Sequence, residues 1–323
     1  GDPSSAYVVA LGSDGGLRSV LRAGAALDTF ADIAADESGV VVVGQFRGSW
    51  SFDDLPLSAA GGSAFALARF TSDLRIEWGR VFSATGGTGT RYSAGTRVLL
   101  VAGETPEIVV GGEYARGGLV LGTTLPTTTP TSSFLARFDA AAGEPITSVA
   151  FASASSSQIL GLSRQADGAL VAAGWFYGGL TLGTETLTGT DDTGFLVVVE
   201  PDRTVRFARP FGSGAGRDAA EDVALDSDGN IVVVGQFTSD TDFGGGTRRP
   251  VGQQGFLAVY GPTGVHRSDL AYGSGGSTLG VRGVAIGRGN STVITGHFTG
   301  AAEFGSGLRV ANNGDGFVLR RGN

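Results

Sequence analysis

Cysteine, methionine and lysine are all missing from this 323-residue chain, and histidine occurs only twice. The lack of cysteine removes a disulfide framework, a thiolate metal site and a cysteine nucleophile together. All 23 basic residues are arginine, they form no basic run, and against 31 acidic residues they leave a net charge of −8. The electrostatic footprint of a nucleic-acid binder is absent, so no DNA or RNA partner is expected. No apolar run reaches the roughly 18 residues of a membrane span, and no stretch has the pattern of a useful amphipathic helix. The chain opens Gly1-Asp2-Pro3-Ser4-Ser5, with neither Met nor a signal peptide. It is expected to be a soluble, processed product, in keeping with export.

What is abundant is glycine, at 56 residues, beside an ordinary 41% of apolar residues. That mixture predicts many short strands joined by tight turns. Internal repetition then organises the whole chain. An apolar run ends in Gly, one variable residue and an aromatic at Gly44-Gln45-Phe46, Gly112-Glu113-Tyr114, Gly174-Trp175-Phe176, Gly235-Gln236-Phe237 and Gly296-His297-Phe298. The aromatics are spaced by 68, 62, 61 and 61 residues. Two further landmarks keep the phase: Phe52, Leu121, Leu182, Phe243 or Phe304, and then Phe65, Phe134, Phe195, Phe256 or Phe317. Phe82, Phe151, Phe211 or Tyr272 closes another apolar stretch. With the short run ahead of each Gly-x-aromatic, such as Val223-Ala224-Leu225, this predicts four strands per repeat.

Turn residues agree. Asp36-Glu37-Ser38-Gly39, Asp167-Gly168 and Asp226-Ser227-Asp228-Gly229-Asn230 fall between the first two strands, where a tight hairpin needs a turn-initiating carboxylate and a positive φ. Strands such as Ile231-Val232-Val233-Val234 are apolar on both faces, as expected if each four-stranded unit packs between two neighbours. The expected architecture is all-β: a five-bladed β-propeller of four-stranded antiparallel blades. A single domain, 1–323, has repeats at about 30–84, 96–153, 158–213, 221–274 and 282–320. An N-terminal segment, 5–22, supplies a fourth strand that joins the C-terminal blade and closes the ring. The third-type strand Ala6 to Leu11 is then surplus, since the count is 21 strands where a five-bladed ring needs twenty, and self-association through it is one expected outcome.

The runs Asp226 to Gly235, Asp242-Phe243-Gly244-Gly245-Gly246 and Gly255 to Tyr260 resemble the bacterial β-propeller repeats called SBBP. Phe65 to Phe70, Trp78 and Ser274-Gly275-Gly276 extend the resemblance over nearly the whole chain. It implies a propeller and a secreted or cell-surface bacterial setting, with no particular activity. That family is named for seven blades; this sequence supports five.

Catalytic constellations are sparse. His266 and His297 fall at different strand positions, no Gly-x-Ser-x-Gly elbow supports a triad, and the acid pairs Asp53-Asp54, Asp191-Asp192 and Glu221-Asp222 read as solvated turn charges. Asp226, Asp228 and Asn230 resemble the first half of a calcium loop, but no bidentate Glu follows, so an ordinary turn is expected. No cofactor is expected. The candidate ligand residues are the variable ones, Gln45, Glu113, Trp175, Gln236 and His297, which rotation would place in a ring of hydrogen-bonding side chains. The bland alternative is that they satisfy backbone groups or touch the next blade. The expected function is a non-catalytic structural, adhesive or protein-interaction module; the alternative is a glycan binder using the ring and Trp50 or Trp175, and a carbohydrate hydrolase or lyase comes third.

Overall fold

In a computed structural model, the described residues are 6–23, 29–52, 55–128, 130–212, 216–305 and 307–322. They are all-β, with one 3-10 turn at Arg288–Asn290, and none of their helices is long and apolar enough to cross a membrane. The chain divides into two compact units, Gly1–Ala152 and Ser153–Asn323, between the second and third repeats.

The first unit begins with the hairpin Ala6–Leu11/Leu17–Ala23. Repeat 1 follows as Thr29–Asp36, Gly39–Phe52, Leu55–Phe70 and Ile76–Phe82, each strand antiparallel to the one before. Repeat 2 has the same order in Arg91–Val101, Glu107–Ala115, Ser132–Asp139 and Pro145–Ser153. In the second unit, repeat 3 is Ser156–Arg164, Leu170–Leu182, Glu185–Val199 and Val205–Phe211. Repeat 4 is Ala219–Leu225, Ile231–Phe237, Gln254–Tyr260 and His266–Tyr272. Repeat 5 is Thr278–Ile286, Thr292–Glu303 and Leu308–Arg321. Within each unit, successive repeats meet by a short parallel contact from the third strand of one to the start of the next: Gly62 and Ser63 with Arg91 and Tyr92, Asp192 with Arg217, and Gln253 with Thr278.

The second strands of repeats 1 to 4 are largely buried on both faces, and their alternation shows how the repeats stack. Val41 and Val43 share a core with Val98 and Ile108 of repeat 2, whereas Val42 and Phe46 pack with Val8 and Leu21 of the hairpin. Three repeats later Val232 and Val234 face repeat 5, while Val233 and Phe237 face repeat 3. The aromatic of Gly-x-aromatic thus faces the preceding element, as Tyr114 and Phe298 also do.

The invariant glycine has a steric cause. The first strand of every repeat carries a β-bulge, with Ala31, Thr96, Leu160, Glu221 or Arg282 as the extra residue. The bulge pushes a carbonyl against the glycine: a Cβ on Gly235 would lie 2.0 Å from Ala219 O and 2.8 Å from the Phe256 ring, and one on Gly296 would lie 2.1 Å from Gly280 O and 2.8 Å from Phe317. Gly-x-aromatic and the third-strand Phe are therefore one packing motif.

Two expectations need correction. Phe65 is not equivalent to Phe134, Phe195, Phe256 and Phe317. Those four pair with their repeat's glycine, but Gly44 pairs with Ala66 and Phe65 with Gln45. A one-residue slip turns a side chain to the other face of its sheet, so Phe65 packs toward repeat 2, where its ring lies 2.8 Å from the Cβ position of Gly95. The closing strand also differs. Leu17–Ala23 pairs with its own neighbour Ala6–Leu11, and among the described residues the sheet containing Leu308–Arg321 has three strands. A local hairpin costs little loop entropy, and its turn is closed by Gly15 N donating to Gly12 O at 2.9 Å and Gly16 N to Asp14 Oδ1 at 2.9 Å. The surplus strand thereby finds its partner next door.

Candidate functional site

The five variable residues do occupy one position. Gln45, Glu113, Trp175, Gln236 and His297 pair with Thr29, Ala94, Gln158, Ala219 and Gly280, each just ahead of the bulge. Their polar atoms are largely engaged by the fold. The Tyr92 hydroxyl donates to Glu113 Oε1, and burial first, then the Glu113 charge, raises that phenol's pKa. Trp175 Nε1 donates to Gln158 Oε1 at 3.3 Å. Gln236, 1% exposed, accepts from Gln253 Nε2 at 2.9 Å. Gln45 Nε2 reaches Thr29 Oγ1 at 3.4 Å. Two neighbours of the set come together in the second unit: a Cβ on Gly280 would lie 2.9 Å from Gln236 Oε1 and 3.2 Å from His297 Cε1. Burial, then the charge of Arg282, lowers the pKa of His297 below its ordinary value. The side chain of Trp50 and the pair Asp53-Asp54 lie outside the described residues.

The turn Asp226 to Asn230 is self-contained. Asp226 Oδ1 accepts from Asp228 N at 2.9 Å and Asn230 N at 2.8 Å, and its Oδ2 from Asn230 Nδ2 at 2.8 Å. Among the described residues no group of three or more His, Asp or Glu is arranged for a metal ion. His266 is bound to Asp269 Oδ2 at 3.0 Å, and Asp269 is shared with Arg248 at 2.6 Å.

Glu221-Asp222 and Asp191-Asp192 are not solvated turn charges. Glu221 is the bulge residue of repeat 4 and forms an ion pair with Arg282, the bulge residue of repeat 5. Asp222 Oδ2 accepts from Val284 N at 2.9 Å, just as Asp32 Oδ2 accepts from Val98 N at 2.9 Å, so one carboxylate position ties consecutive repeats together. Sequence offsets conceal this, because Asp32 lies 12 residues before its glycine and Asp222 lies 13. Asp191 and Asp192 sit in a strand; Asp191 Oδ2 accepts from Gly216 N at 3.2 Å, and burial raises the Asp192 pKa.

Sequence reasoning also missed a groove of about 540 Å³ between repeats 1 and 2. Its polar lining is Asp36, Arg69, Glu77, Trp78, Glu107 and Asp139, with Leu100 and Pro106 among the apolar residues. Arg69 donates to Glu77 Oε2 at 2.8 Å and Ser38 Oγ at 2.6 Å, and Glu107 pairs with Arg137 at 3.1 Å. The Asp36 carboxyl is held below its ordinary pKa, chiefly by the Ser38 hydroxyl. Trp78 lies under Gly143, whose Cβ position is 2.4 Å from the indole, and its buried Nε1 has no hydrogen-bond acceptor.

The counterpart between repeats 3 and 4 is filled from within. Phe207 takes the place of Trp78, under Gly264, and Arg206 that of Glu77. Arg206 binds Glu200 at 2.5 and 2.9 Å, Asp167 at 2.6 Å, Gln165 Oε1 and, at 3.4 Å, Pro262 O. The arrangement suits binding through complementary charge. No protein-family model matches the chain, and no curated protein matches it.

Proposed function

We propose that the chain is a non-catalytic protein-interaction module, exported by a bacterium, and that its five repeats are the blades of a five-bladed β-propeller. The propeller reading is supported by the repeated strand order, bulge and stacking. It is supported too by the hairpin's outer face: Tyr7, Val9 and Leu11 are 69%, 40% and 59% exposed, whereas Phe256, Ala258 and Tyr260, their counterparts in repeat 4, are at most 1% exposed. A face built like a repeat-to-repeat contact is expected to have a repeat-like surface against it.

The binding reading rests on one observation: the groove between repeats 1 and 2 is open and acid-lined where its counterpart is filled by Arg206. The Gly-x-aromatic residues are weaker candidates, because the polar atoms of Glu113, Trp175 and Gln236 serve the fold. Peptide and glycan arrays probed with the chain, with Glu77→Arg and with Trp175→Ala test this. Peptide binding lost in Glu77→Arg is expected; glycan binding lost in Trp175→Ala would replace this reading with the lectin one.

A further inference from the structure

We propose that the groove between repeats 1 and 2 receives the guanidinium or ammonium side chain of a basic peptide segment. The proposal rests on the reading of the chain as an interaction module and names the chemistry of its partner.

The chain itself shows what such a groove takes. Between repeats 3 and 4 the guanidinium of Arg206 sits on a long apolar stem and is held by two carboxylates, the Gln165 amide oxygen and the carbonyl of Pro262. Planar, bidentate contact of this kind is the strong form of cation recognition. Pro262 lies two residues before Gly264, which covers Phe207; Ala141 lies two residues before Gly143, which covers Trp78, and Ala141 lines the open groove. The open groove keeps the carbonyl position, but Glu77 stands where Arg206 does and Thr71 where Glu200 does, and its carboxylates come instead from Asp36, Glu77, Glu107 and Asp139, with Arg69 as its own inward cation.

Electrostatics agree. Four carboxylates, on Asp36, Glu77, Glu107 and Asp139, line the groove; Arg69, 12% exposed, is paired with Glu77, and Glu107 is paired with Arg137. Glu77 is 39% exposed and so available to a ligand. Leu100 and Pro106 offer apolar surface for the methylene stem of an arginine or lysine. The Trp78 Nε1 donor, buried in a residue 8% exposed, has no acceptor. A peptide brings a carbonyl beside its basic side chain, and buried donors are normally satisfied.

The test uses the full chain and the peptide acetyl-Gly-Ser-Arg-Ser-Gly-amide, with its neutral citrulline counterpart as control. Binding is followed by calorimetry and by the indole ¹⁵N resonances of the three tryptophans, Trp78 being assigned through Trp78→Phe. The arginine peptide is expected to bind, to shift the Trp78 resonance, to weaken as salt rises, and to exceed citrulline by about tenfold or more. Glu77→Arg is expected to abolish binding by filling the groove. Glu77→Gln, which preserves shape, is expected to weaken it several-fold and keeps the test valid if Glu77→Arg misfolds. Equal binding of the two peptides, or arginine binding that leaves Trp78 unmoved, overturns the proposal. A protein partner bound elsewhere with Trp78 unmoved would remove this site and keep the interaction-module reading.

Discussion

Glu221 and Arg282 hold the same position in consecutive repeats, each the extra residue of a first-strand bulge, and they form an ion pair with each other. Glu221 is 10% exposed and Arg282 43%, so the pair is half screened and its worth lies between that of a surface pair and a buried one. A double-mutant cycle with Glu221→Ala and Arg282→Ala is expected to give a coupling of about 1 kcal/mol in urea unfolding. Additivity would show that the bulge residues do not hold repeats 4 and 5 together.

Phe237 is fully buried, with T-shaped contacts to Phe243 at 5.5 Å and Phe256 at 6.3 Å. Phe237→Ala should cost about 3–5 kcal/mol by equilibrium unfolding. Gln236→Ala should cost about 1 kcal/mol, because it removes the shorter of the two hydrogen bonds donated by Gln253 Nε2, the other going to Leu279 O at 3.4 Å; a cost near zero would show that this hydrogen bond does not stabilise the fold.

Gly235→Ala introduces a methyl 2.0 Å from Ala219 O. Unfolding should show a loss of about 1–3 kcal/mol from overpacking. Gly103, whose Cβ position is open, should tolerate alanine with little change.

His297 has a pKa below its ordinary 6.5, through burial and then Arg282. The unfolded chain therefore takes up the proton first as pH falls, so this residue's contribution is intact above about pH 6.5 and is lost progressively below it. Melting temperatures at pH 7.5 and 5.5 should converge in His297→Gln relative to the unaltered chain. An identical acid-side loss in both would assign the pH dependence elsewhere.

Strand order, turn chemistry and the Gly-x-aromatic period were legible because each rests on local patterning: alternation, a positive φ, a small residue where backbone approaches. The slip of Phe65 was not, since its offset from Phe46 matches that of repeats 3, 4 and 5 and only pairing with Ala66 against Gly44 reveals it. Nor was the groove. Glu77 and Arg206 are polar residues in outer strands, and their meaning depends on Trp78 and Phe207 lying beneath the next repeat's turn. Long-range contacts of that kind leave no periodic trace.

The five-bladed reading is tested most directly by distances between spin labels on single cysteine pairs, which a cysteine-free chain allows without background. Equivalent exposed positions are Glu37, Glu104, Ala166, Asp228 and Arg288, in the turns between first and second strands. A closed five-fold ring predicts one distance for all neighbouring repeats and gives that same distance between Glu37 of repeat 1 and Arg288 of repeat 5. A Glu37 to Arg288 distance longer than every other pair would describe an open array and contradict the propeller.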